Sequence, residues 1–216
     1  MYRINIMLNN NHLILLDFDG TIMKTDEFNW ECYNIVLNKY KLEISFSDFL
    51  NCISNSHLDT YFTNLGLTNE QIIAIRKEKY DLMLEHIKEC KSIRFIKGME
   101  KFIEFIDENN IPHCVVTNTS IKPILMYREH FPLLNKLKNW ITREDYELPK
   151  PNSECFELAV KKFGENKIVI GFEDSWVGYQ ALKGVTDKIN IICEEGNNKR
   201  FEGEKVKIIK NYDMIL

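Results

Sequence analysis

Residues 13–17, LILLD, set apolar side chains on both faces of one short run and end it on a carboxylate. A strand with one face in water alternates apolar and polar residues, so a run without alternation needs cover on both sides, as inside a parallel sheet. Beyond Gly98 short apolar runs alternate with helical patterns. Residues 99–109 place Met99, Phe102, Ile103 and Ile106 on one helical face, with Asn109 or Asn110 as a left-handed stop before Pro112. There follow PHCVVT (112–117), a helix from about Ile121, an apolar run at 139–141 and a helix from Ser153 to Phe163. Then come KIVIGF (167–172), a helix from Trp176 to Lys183 closed by Gly184, KINIIC (188–193) and KVKIIK (205–210). Strands alternating with helices define an α/β class: a Rossmann-like, doubly wound parallel sheet with right-handed crossovers.

Residues 25–89 break this pattern. Phe28, Cys32, Ile35, Val36 and Tyr40, and later Ile72, Ile75, Lys79, Leu82 and His86, recur at helical spacing with no strand-like alternation. The expected organisation is a core of residues 1–22 and 96–216 with an all-helical domain, 23–95, inserted after the first strand. A chain of 216 residues, 44% apolar and 28% charged, can bury a core and a smaller unit. Its net charge of −4 offers no long-range attraction to nucleic acid or anionic lipid. Six scattered cysteines suit a reducing compartment, MYRINIMLNNNH lacks the apolar core of a signal peptide, and no run is long enough to span a membrane. A cytoplasmic protein, monomeric or a weak homodimer, with neither nucleic acid nor membrane as partner is expected.

Ligands of such sheets bind outside the carboxyl ends of the strands. Asp17 and Asp19 follow the first strand, Thr117, Asn118 and Thr119 the second, and Glu173, Asp174 and Ser175 follow KIVIGF; Lys150 stands in a loop between Pro149 and Pro151. Each piece also has a plain reading. DFDG is compatible with a turn at Gly20, Thr119 or Ser120 is expected to cap the helix from Ile121, and Ser175 the one from Trp176. Together they say more. Two carboxylates ~4 Å apart repel by roughly 4 kcal/mol at an effective dielectric of ~20, so Asp17, Asp19, Glu173 and Asp174 at one edge require a cation. Oxygen ligands alone point to Mg2+, and a cation, a lysine and hydroxyl or amide donors suit a phosphoryl group.

The residues resemble the haloacid dehalogenase-like hydrolase superfamily. DFDGT (17–21) resembles its first motif, VVTN (115–118) its second, Lys150 in KPNSECF its third and GFEDSWVG (171–178) its fourth, in family order along essentially the whole chain. The insertion is similar to the helical cap of the subgroup that contains phosphoglycolate phosphatase, β-phosphoglucomutase and haloacid dehalogenases. The resemblance implies a nucleophilic Asp17 that forms an aspartyl-phosphate and an Asp19 that acts as acid and base. It implies Mg2+ held by Asp17, the Asp19 backbone carbonyl and Asp174, with Glu173 as a direct or water-mediated ligand. Thr117 and Asn118 would hold phosphoryl oxygens, and Lys150 would balance charge beside Asp17 and the phosphoryl group.

Asp19 argues against a dehalogenase, whose chemistry is at carbon. The implied activity is a Mg2+-dependent phosphatase acting on a small phosphorylated metabolite. The alternatives are a β-phosphoglucomutase-like phosphotransferase and a non-catalytic phospho-ligand binding protein. Lys24-Thr25, Ser153 and Trp176 depart from the family pattern without removing a reactive group. Asn29, His57, Arg76 and Lys79 are the polar cap residues that substrate contacts would come from.

Overall fold

The computed structural model describes residues 8–55, 57–194 and 199–215. Two compact units emerge, Met1–Met23 with Phe95–Leu216, and Lys24–Arg94. In chain order the elements are β1 (His12–Leu16), β2 (Met23–Lys24), α1 (Asp26–Leu37), α2 (Phe46–Ser54), α3 (Leu58–Asn64), α4 (Asn69–His86), β3 (Arg94–Phe95) and α5 (Met99–Glu108). Then follow β4 (His113–Val116), α6 (Ile121–His130), β5 (Trp140–Ile141), α7 (Glu154–Phe163), β6 (Ile168–Glu173), α8 (Trp176–Leu182), β7 (Ile189–Ile192) and β8 (Val206–Ile209). Among the described residues no helix is long and apolar enough to cross a membrane.

The larger unit holds a six-stranded sheet in the order β5-β4-β1-β6-β7-β8, with every pairing parallel. From β1 the chain builds outward through β4 and β5 on one side, then through β6, β7 and β8 on the other. The order therefore reverses at β1, and in such sheets the carboxyl end of the strand at the reversal is where ligands bind. Leu13 to Leu16 are fully buried because both faces are covered. Leu13, Leu15, Cys114, Val116, Ile189 and Ile191 form one core with Phe156 and Ala159 of α7 and Tyr179 and Leu182 of α8. On the opposite face Phe102 of α5 packs against Phe172 and Tyr212, with ring centroids 5.5 and 4.9 Å apart.

Two helix ends differ in physical cause from the sequence expectation. Asn109 keeps a φ of −91°, and Asn110 alone takes the left-handed stop, at φ 47°. At Gly184 the requirement is space: a Cβ there would lie 2.5 Å from Ser153 Cβ.

The smaller unit contains α1 to α4 around Val36, Leu37, Ile44, Phe49, Phe62, Ile72 and Ile75. Thr68 and Gln71 form a capping box that starts α4. Phe28, Cys32 and Val36 of α1 are buried as their spacing predicts, but Ile35 is 52% exposed. In α4 the buried residues are Ile72, Ile75 and Met83, while His86 is exposed.

Candidate active site

The register of the sheet brings three strand ends to one place. Leu16 pairs with Val115 of β4 and with Phe172 of β6, so the residues just beyond are neighbours. The backbone N–H of Asp17 donates to the Phe172 carbonyl at 3.0 Å, which extends the ladder by one residue and fixes Asp17 beside Glu173, the last residue of β6. Asp17, Thr117, Lys150 and Glu173 are all at least nine-tenths buried.

Lys150 joins the two buried acids. Its ammonium donates to Asp17 Oδ1 at 2.5 Å and to Glu173 Oε1 at 2.8 Å. The other Glu173 oxygen, Oε2, accepts from the backbone N–H groups of Asp174 and Ser175 and from the Ser175 hydroxyl, each at 2.9 Å. Ser175 Oγ in turn accepts from Gly178 N at 3.0 Å and so caps α8, as expected. Asp174 Oδ1 accepts from the Thr21 hydroxyl at 3.2 Å. At Gly20, φ is +77° and a Cβ would fall 2.3 Å from Asp174 Oδ2. A side chain there is strained by the backbone and collides with the acid.

Oxygens of Asp17, Glu173 and Asp174 lie within 4.8 Å of one another. Three carboxylates and one ammonium in a largely buried place make a net negative cluster, a costly balance. Burial above all, with Glu173 adding to it, drives the Asp17 pKa well above the usual carboxylate range, and Lys150 opposes that rise. For Lys150, burial works against the charge, but Asp17 and Glu173 outweigh it and hold the ammonium firmly protonated. The donor set is all oxygen and net negative. A hard divalent cation fits it.

Asp19 has a different partner. The Thr119 hydroxyl donates to Asp19 Oδ2 at 2.6 Å. This corrects the capping expectation for Thr119. Ser120 is the cap residue of α6 yet makes no side-chain cap bond, and the Ile121 N–H is taken by the Glu144 carboxylate at 3.0 and 3.2 Å. Thr117 Oγ1 accepts from Thr119 N at 3.0 Å, which leaves its own proton to donate. Asn118 Oδ1 accepts from the Tyr146 hydroxyl at 2.7 Å and from Lys150 N at 3.2 Å, so it ties the lysine loop to the end of β4.

Residues 14–190 match the family described as haloacid dehalogenase-like hydrolase. The chain belongs to that family. It is 21% identical over 180 residues to (DL)-glycerol-3-phosphatase 2 of Arabidopsis thaliana, covering 79% of this chain and 74% of that protein. Its fold is similar to the HAD hydrolase, family IA, variant 3 from Entamoeba histolytica, with a TM-score of 0.79 at 18% identity over 95% of both chains. CbbY from Rhodobacter sphaeroides in complex with phosphate gives 0.75 at 16% identity, again over 95% of both chains.

Within this hydrolase, Asp17, Lys150, Glu173 and Asp174 stand in direct contact or close approach, and Thr117 and Asn118 join them through the β4 end. Sequence reasoning placed Thr119 at the strand end but favoured a cap for it, and gave no role to Thr21, Tyr146 or Phe156. A signal existed for Thr119: in TNT, residues i and i+2 of an extended segment share a side. Of the four polar candidates in the smaller unit, Arg76 pairs with Asp59 at 2.6 Å, and Lys79 donates to Asn29 Oδ1 at 2.5 Å. His57 is exposed and precedes α3.

Gly178 couples fold to site. A Cβ at this position would lie 1.6 Å from Glu173 Oε1. Gly178→Ala must displace that carboxylate and break its bonds to Lys150 and Ser175. The expected loss is about 3–5 kcal/mol, that of a broken buried ion pair, read as a lower denaturation midpoint.

Proposed function

We propose that this hydrolase is a Mg2+-dependent phosphatase of a small phosphorylated metabolite, working through an aspartyl-phosphate on Asp17. One observation carries the reading: among the described residues Lys150 donates to Oδ1 of Asp17, which leaves Oδ2 to attack in a buried site whose acids suit a divalent ion. Oδ2 of Asp17 forms a bond to phosphorus as the bond to the leaving oxygen breaks, and Asp19 gives that oxygen a proton. In the second half Asp19 takes a proton from water, the water oxygen bonds to phosphorus, and the acyl-phosphate bond opens to regenerate Asp17.

The Thr117 hydroxyl and the Asn118 amide hold phosphoryl oxygens, while Lys150 balances charge beside them. The Asp17 and Asp174 carboxylates and the Asp19 carbonyl would hold the metal. Glu173 places Lys150 and the residue 174–175 turn through its hydrogen bonds, and would join the metal directly or through water. Mg2+ supplies charge neutralisation for the phosphoryl oxygens. Residues 24–94 are proposed as the cap that selects the substrate. The name of the Arabidopsis relative, a glycerol-3-phosphatase, and the phosphate bound to CbbY are in keeping with this reading.

A panel of phosphorylated metabolites with Mg2+ tests it. Phosphate release from one chemical class, absent in Asp17→Asn, supports the reading. Isomerisation of a hexose 1-phosphate faster than phosphate release would instead identify a phosphotransferase.

Thr119→Val removes the hydroxyl that orients Asp19. The expected fall in kcat/KM is about 10- to 100-fold for glycerol phosphate, as for a misplaced general acid. For p-nitrophenyl phosphate it is smaller, because nitrophenolate departs without a proton. Equal losses on both substrates would contradict the role.

A further inference from the structure

Lys150 has a third neighbour that the chemistry above does not use. Its ammonium nitrogen lies 4.7 Å from the centroid of the Phe156 ring. Asp17 and Glu173 each take one of the three N–H donors, and the ring presents its π face to the same ammonium. The ring has no freedom to move away. Phe156 is fully buried in α7 and belongs to the core cluster with Leu13, Leu15, Cys155 and Ala159.

An ammonium taken out of water needs replacement partners. Another carboxylate would deepen the charge deficit of the site, and a water would leave the lysine free to swing. An aromatic face attracts the cation without adding formal charge. We propose that Phe156 is a positioning residue whose ring holds the Lys150 ammonium between Asp17 and Glu173. Its effect on turnover rests on the phosphatase reading; the placement of the ammonium does not.

The test replaces Phe156 in the full chain by leucine and, separately, by phenylalanines carrying three or five ring fluorines. Fluorination weakens the π face while keeping the ring's shape. With p-nitrophenyl phosphate and Mg2+, kcat is expected to fall in step with fluorine number, by about threefold to thirtyfold in all, the range a cation–π contact is worth. The thermal midpoint is not expected to follow that order. In 13C-labelled protein the Lys150 Cε protons, assigned with Lys150→Arg, are expected upfield of those of the exposed lysines. They should return to the common position in Phe156→Leu. The fluorinated proteins serve the same purpose if the leucine variant does not fold. A kcat indifferent to fluorination, or Lys150 Cε protons at the position of the exposed lysines, overturns the proposal. If wild type does not turn over p-nitrophenyl phosphate, the phosphatase reading fails on its own and the resonance still decides the role of the ring.

Discussion

Asp17→Asn is expected to give a folded protein that releases phosphate at least about 1,000-fold more slowly than wild type, the order that the loss of a covalent nucleophile produces. The amide has nearly the shape of the carboxylate, and the bond from Lys150 to Glu173, 2.8 Å in the wild-type chain, does not involve residue 17. What disappears is the attacking oxygen and one negative charge. In the metal-free protein that charge is a burden, since burial and Glu173 raise the Asp17 pKa well above its ordinary value of 3.8.

A raised folded-state pKa means that the folded protein holds this proton more tightly than the unfolded chain does. The stability it contributes is present below the unfolded pKa and is lost as pH rises through the folded one. Without metal, the thermal midpoint of Asp17→Asn minus that of wild type should therefore grow from about pH 4 toward neutrality. Added Mg2+ should stabilise wild type more than the variant, because a ligand bound by the folded state alone raises stability. Melting curves at several pH values, with and without Mg2+, check both statements. A variant that melts earlier than wild type at neutral pH without metal would contradict the charge account.

Lys150→Ala is expected to destabilise the protein as strongly as Gly178→Ala. It leaves Asp17 and Glu173 facing each other with no cation between them, and both are at least nine-tenths buried. Breaking a buried pair costs about 3–5 kcal/mol, which for a chain of this size lowers Tm by about 6–20 °C. Mg2+ should recover part of that loss, since a divalent ion supplies some of the missing charge, while phosphatase activity stays low. Calorimetry with and without Mg2+ reads both effects. An unchanged Tm would show that the carboxylates share a proton and that the lysine matters less than its contacts indicate.

The strand ends were legible because LILL, CVV and KIVIGF lack alternation, and a doubly covered strand points its carboxyl end at the crevice by topology. Residue type then marked Asp17, Lys150 and Asp174. Less local facts stayed hidden. Thr119 stands where a strand passes into a helix, and a hydroxyl there serves equally as a cap or as a partner to a distant acid; only the placement of Asp19 decides. The sequence marks Glu173 as one more acid, and says nothing of the three donors from residues 174 and 175 that one of its oxygens accepts. Tyr146 lies in an irregular stretch with no periodicity to mark it as buried, yet its hydroxyl reaches the Thr117 carbonyl at 2.8 Å. In α4 Ile73 is 67% exposed beside the buried Ile72, so apolar content alone misplaces the packed face.

The central claim is that phosphate passes through Asp17. Single turnovers stopped in acid within milliseconds, followed by mass analysis of the peptides, test it most directly. The account predicts one added phosphoryl group on the peptide that contains Asp17, accumulating in Thr119→Val if water attack slows more than phosphorylation, and absent in Asp17→Asn. Full turnover with no phosphoryl group on that peptide at any time, or with the group on another residue, would contradict it.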